Sequence, residues 1–302
     1  MAIESEEQHK ARAVAVAAEL ANSDDADYLL AAALLVQFGE PDAPLEVLQR
    51  ASKIAPRHPL VAWSLLSMCR DRKGAQCDLE ALEANAIKVD GSNGAVWMEI
   101  AMQRLTEDRP VAASDAVRHA IAAPRFDSYF IDHAMVLERA LATNGDRSYR
   151  ERIFAGIGYS AALVVSYGAI TKHCGAVDAG GVWLELCDQL GEKMLADGRA
   201  LMDQAIGSTL RKIAAERSGD EEWLRRATDE YEGFRKHYQS LSASNAMQTL
   251  LENDEAVLRN YVDNVATYGE LEAQMRLKDD ANRLQDDPTY DQCNFVRRLA
   301  FD

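Results

Sequence analysis

Apolar residues recur at helical spacing along most of the chain, and interruptions of that rhythm cut it into separate stretches. In the first half the pattern predicts helices near 6–21, 25–38, 42–54, 59–72, 77–88, 93–106, 111–123 and 127–142. Ser23 and Ser92 precede two of them, where a side-chain oxygen can accept from the unpaired amides of a first turn. Pro59 fits a first turn, and Gly39 and Gly145 stand where helices should end. In the second half the same reading predicts helices near 182–195, 197–216, 221–242, 245–267 and 269–284. Between the two groups, His173 to Gly181 is expected as a loop, because three glycines and Asp178 interrupt the pattern. Prolines sharpen the contrast: six of the seven lie at 41, 44, 56, 59, 110 and 124, and the other is Pro288. Proline breaks helix interiors, so short helices are expected early and long ones later.

A period of 34 residues runs through the early helices. Leu29, Trp63 and Trp97 follow one another at that spacing, and Ala33, Ser67 and Ala101 lie four residues after each. Ala86 and Ala120 repeat it, as do Pro56, Asp90 and Pro124. Antiparallel helices approach closely only where side chains are small, and a bulky residue fills the gap against the next pair. These residues resemble the tetratricopeptide repeat family over about residues 24–142, with Leu66 and Ile100 at its leucine position. The chain departs from the family in lacking the usual glycine and tyrosine of the first helix. Its repeat-ending proline comes one residue early, and a fourth unit near Phe130 needs a one-residue shift. No such echo follows Ser148. The expected fold is therefore all-α: helix-pair repeats over 1–147, then a long-helix bundle over 148–302.

Residues 153–171 carry no charge across 19 positions, long enough to span a bilayer. Gly156, Gly158, Gly168 and several hydroxyls dilute their hydropathy, and no basic cluster flanks them, so a central bundle helix is expected instead. Trp223, Ala227, Tyr231 and Phe234 form a stripe at helical spacing, as do Tyr261, Val265 and Tyr268, and both are expected to pack internally. Ser218 to Glu222 is a helix start, with acids where the macrodipole favours them. The last residues, with Pro288, Tyr290, Phe295, Leu299 and Phe301, form an apolar tail expected to dock.

Composition narrows the function. The 302 residues hold 33 basic and 49 acidic side chains, a formal charge of −16. That balance disfavours nucleic acid and anionic membranes, which require an excess of Lys and Arg at the contact. The five cysteines form no disulfide framework by count, so Cys69 and Cys77 are expected as core or free thiols in a reducing, cytoplasmic setting. Residues 1–10 lack the basic run and apolar core of a secretory leader.

No nucleophile elbow, phosphate loop or paired-histidine zinc motif is present. His173, Cys174 and Cys187 lack zinc-ligand spacing. Acid pairs at 24–25, 279–280 and 286–287 read as solvated faces, and His119 and His133 have no acid or nucleophile beside them. No catalytic residue, metal or cofactor is assigned.

The resemblance implies that first helices of the repeats line a concave surface. Its groove-facing set would be Leu30, Ser64 and Met98, then Leu34, Met68 and Met102, with Asp71 and Glu99 near the rim. Methionines adapt to varied partners, so this face would take a protein or peptide partner, or a second copy of the chain. Helix 25–38 has no basic residue or asparagine, so a carboxylate clamp is not expected there. The competing expectation is that the chain covers this face itself. A different class of function, an enzyme or small-molecule binder, would centre on Tyr159, Tyr167, His173, Cys174 and Trp183.

Overall fold

The computed structural model describes residues 6–36, 43–71, 77–143, 147–161, 167–178, 181–242 and 245–286. The fold is all-α, with sixteen helices among the described residues. In the first half these are α1 (Glu6–Leu20), α2 (Ala26–Leu35), α3 (Ala43–Ile54), α4 (Pro59–Asp71), α5 (Leu79–Asp90), α6 (Gly94–Thr106), α7 (Pro110–Ala122), α8 (Phe130–Ala142) and α9 (Tyr149–Ala161). They are followed by α10 (Gly168–Ala176), α11 (Val182–Asp197), α12 (Leu201–Ser218), α13 (Glu221–Ser242), α14 (Asn245–Asn253), α15 (Glu255–Tyr268) and α16 (Glu270–Asp286). The chain divides into two compact units, residues 1–170 and 171–302.

Local chemistry fixes the helix ends. Asp25 starts α2 by accepting from the amides of Asp27 at 2.8 Å and Tyr28 at 3.4 Å, while Ser23 Oγ accepts from the Asp25 amide one step earlier. Asn93, not Ser92, caps α6, accepting from Ala95 N–H at 3.1 Å. Asp254 does the same for α15 and splits the single helix expected over 245–267 into α14 and α15. Gly39, Gly145 and the apolar tail from 287 lie outside the described residues.

In the first unit, α2–α3, α4–α5 and α6–α7 form helix hairpins stacked in chain order, α2 against α4 and α4 against α6. Leu29, Ala33, Trp63, Ala86, Ala101 and Ala120 are buried at the periodic positions. Trp97 is half-buried instead, its indole N–H donating to the Gly91 carbonyl at 2.8 Å and its ring stacked on His119 at 4.3 Å.

The fourth hairpin, α8–α9, behaves differently: outside its own pair its main partner is α2 of the first hairpin. Asn93 and Asp127, 34 residues apart, set its approach. The Asn93 side chain accepts from Asp127 N–H and donates to the Asp127 carbonyl, both at 2.9 Å. Gly94 N–H donates to the Arg125 carbonyl at 2.8 Å. A Cβ on Gly156 would sit 2.4 Å from the Ala134 carbonyl oxygen, so α9 lies directly on the α8 backbone. This contact carries α9 into the first unit and moves the boundary from the expected 147 to 170.

In the second unit, α11 and α12 cross with backbones touching: a Cβ on either Gly191 or Gly207 would lie 2.6 Å from the other's carbonyl oxygen. Helices α14, α15 and α16 share a cluster of Met247, Leu250, Leu277 and Ala281, with Tyr261 against it. The turn before α12 is tied to the α15–α16 junction. Glu270 accepts from Leu201 N–H at 2.8 Å and its own N–H donates to the Arg199 carbonyl at 2.7 Å. Burial raises the Glu270 carboxyl above its ordinary pKa.

The uncharged stretch 153–171 is not one helix: α9 ends at Ala161, α10 begins at Gly168, and 162–166 lie outside the described residues. No helix among the described residues is long and apolar enough to cross a membrane.

Candidate functional site

Trp63 and Ser64 sit in the first two turns of α4 and meet the start of α8. Ser64 Oγ lies 2.7 Å from His133 Nε2. The His133 ring also hydrogen-bonds the Tyr129 backbone, whose carbonyl can only accept. Which of Ser64 Oγ and His133 Nε2 donates depends on the imidazole's tautomer. Burial pushes the His133 pKa down to about 4, so the ring is neutral at physiological pH. The Trp63 ring packs on both neighbours, its centroid 5.4 Å from His133 and 5.8 Å from Tyr129. Its indole N–H is buried without a hydrogen-bond partner among the described residues.

Tyr129 is held in the left-handed region, φ 59°, by contacts on three sides. Its N–H donates to Asp127 Oδ1 at 2.9 Å, its hydroxyl donates to Asp90, and Arg125 donates to the same Asp90 oxygen at 2.6 Å. Burial raises the Tyr129 hydroxyl pKa above its ordinary value, so it stays a donor. The seam between α4, α8 and the end of α5 is therefore polar and aromatic.

A serine hydrogen-bonded to a neutral histidine is the beginning of a nucleophilic constellation. Here the group orienting the histidine is a backbone carbonyl rather than a carboxylate, and Ser64 and His133 are only 4% and 1% exposed. The pair joins two helices and reaches no substrate in this conformation. Sequence reading missed it because its halves lie 69 residues apart.

The expected groove residues are interior rather than open. Leu30 and Leu34 on α2 are completely buried, as are Met98 and Met102 on α6 to within 1%; Ser64 and Met68 on α4 are buried too. Glu99, expected at a rim, is inside and pairs with Arg70, joining α6 to α4. The side chain of Asp71 lies outside the described residues. The return of α8 to α2 and α4 closes the α2–α4 part of this face.

The alternative set divides. Tyr159 and Tyr167 belong to the first unit, and His173, Cys174 and Trp183 to the second. His173 and Cys174 lie on α10 instead of a loop. His173 packs edge-on to Trp183 at 4.2 Å, and its buried Nε2 has no hydrogen-bond partner among the described residues. Cys174 is bonded to Cys187, and Cys69 to Cys77. The expectation of core or free thiols at Cys69 and Cys77 is thereby corrected. Helical packing brings each pair to a Cα separation of about 6 Å across eight and thirteen residues, and spacing alone does not reveal that. Among the described residues no group of three or more His, Cys, Asp or Glu is arranged to hold a metal.

Fold and site together define an all-α chain whose first unit is built of helix hairpins around a closed interior. No protein-family model, curated protein or solved structure matches it.

Proposed function

We propose that this chain is a non-catalytic helical-repeat protein, tetratricopeptide-like in its first unit, that binds a protein or peptide partner. The observation supporting this reading is the stack of α2–α3, α4–α5 and α6–α7, with large and small residues buried at a 34-residue period. Such stacks present extended surfaces along their length. The methionine-bearing face is buried in this state, so a partner using it must open the first unit. The test is capture by the immobilised full chain, followed by binding of each purified candidate in isolation. If no purified candidate binds saturably, the reading is wrong.

The two disulfides favour an oxidising compartment over the cytoplasm expected from cysteine count. The unpartnered His173 Nε2 beside Trp183 supports a second reading, a small-molecule site in the second unit. Thermal stabilisation by a metabolite that His173→Ala abolishes would favour that reading.

A further inference from the structure

We infer that the Cys69–Cys77 disulfide is a reversible exchange site for a dithiol reductant, entered at the Cys77 sulfur, and that Cys174–Cys187 is a sealed structural bond. The exchange needs no partner of the helix stack and stands apart from the interaction reading.

The two bonds differ in access. Cys174 and Cys187 are 0% and 1% exposed and Cys69 is 4% exposed, whereas Cys77 is partly exposed ahead of α5. Thiol–disulfide exchange begins with a thiolate reaching one of the two sulfurs, so its rate follows access to that atom. At Cys69–Cys77 a reductant can reach Cys77 in the folded chain. At Cys174–Cys187 both residues are inside, and attack waits for a local opening.

They differ also in what else holds their ends. Arg70, next to Cys69 in the last turn of α4, pairs with buried Glu99 of α6. Asp78, next to Cys77, caps α5 by accepting from Ala81 N–H at 3.1 Å. Helices α4 and α5 also pack on each other along their hairpin. Each end therefore keeps its place when the bond opens, and the two sulfurs stay near enough to rejoin. The second bond instead ties the short α10 to α11, with the edge-on contact of His173 and Trp183 beside it.

Retention of the ends decides the class of reductant. A thiolate attacking Cys77 forms a mixed disulfide and expels Cys69 as a thiolate, which takes up a proton. With a monothiol, Cys69 is held close, attacks the Cys77 sulfur in turn and restores the original bond. With a dithiol, the second thiolate attacks the reductant's own sulfur, closes its disulfide and expels Cys77, which is protonated. Two electrons pass from the dithiol to the protein, and the dithiol's two protons end on Cys69 and Cys77.

The experiment treats the native full-length chain with dithiothreitol and quenches by alkylation at intervals. Peptide mass spectrometry then assigns each cysteine, which keeps Cys293 separate. Cys69 and Cys77 are expected to become alkylated roughly tenfold sooner than Cys174 and Cys187, and in urea, where access is equal, the difference should vanish. Circular dichroism should show no loss of helix while only the first bond is open. Glutathione, a monothiol, should leave Cys69–Cys77 largely intact at the thiol concentration where dithiothreitol reduces it. In Cys69→Ser, Cys77 should react with a thiol reagent roughly tenfold faster than Cys69 does in Cys77→Ser. If either variant does not fold, the wild-type time course decides. Equal native rates, earlier reduction of Cys174–Cys187, helix loss on opening the first bond, or glutathione matching dithiothreitol overturns the inference. So does a purified chain with no bond between Cys69 and Cys77.

Discussion

His133 enters the interior hydrogen-bonded to Ser64 and to the Tyr129 backbone, and burial disfavours its charged form. Ser64→Ala is expected to cost about 1–3 kcal/mol by leaving Nε2 unsatisfied, read as a lower urea midpoint at constant slope. The pH dependence follows from the lowered pKa. The unfolded ring titrates near 6.5 and the folded ring near 4, so between these values the unfolded state binds more protons. Stability contributed by His133 is present above about 6.5 and is lost as pH falls to about 4, a total of about 3 kcal/mol. Glu270 and Glu83, both raised by burial, act with the opposite sign. The measurement is accordingly the difference between wild type and His133→Gln across that window, and a flat difference would contradict the assignment. Arg70 and Glu99 make a second residue-scale case. Glu99→Ala should destabilise by about 3–5 kcal/mol, whereas the apolar double change Arg70→Met with Glu99→Leu should cost clearly less. Chemical denaturation of the three proteins distinguishes these outcomes.

At the scale of elements, two glycines two residues apart on α9 should respond in opposite directions. Gly156→Ala drives a methyl into the Ala134 backbone, which cannot yield by rotating a side chain, and is expected to cost about 1–3 kcal/mol. Gly158 has nothing within 4 Å of its Cβ position, so Gly158→Ala should gain about 0.5–1 kcal/mol of helix propensity. Thermal melts of the two variants test the close approach of α9 to α8. The same scale shows what patterning reveals and misses. Pro59 marks the start of α4 and the acids after Ser218 mark the start of α13, because capping and macrodipole effects act within one turn. Asp254 in Asn-Asp-Glu carries an equally local capping signal, yet the apolar rhythm across 245–267 reads as one helix and hides it. His173 and Cys174 look like loop residues beside Gly175, but α10 runs through them.

At the scale of the whole molecule, the two disulfides make a prediction about chemistry and compartment. Cys69→Ser with Cys77→Ser, and separately Cys174→Ser with Cys187→Ser, should each lower stability by about 2–3 kcal/mol through the loops they close. The denatured, unreduced chain should titrate at most one thiol, and several thiols would argue for a reducing compartment instead. The sequence by itself determined most of the helices, the 34-residue period and the small residues that let helices meet. Those follow from interactions within a few residues and from a repeat visible as spacing. Only the tertiary structure decided that α8 returns to α2, that Ser64 finds His133, that Glu99 pairs inward with Arg70, and that the cysteines pair. Each joins positions from eight to more than a hundred residues apart, and local periodicity holds no information about which distant faces meet. The methionine face illustrates the difference. Its spacing was legible, and whether water or another helix covers it depended on where the fourth hairpin packed.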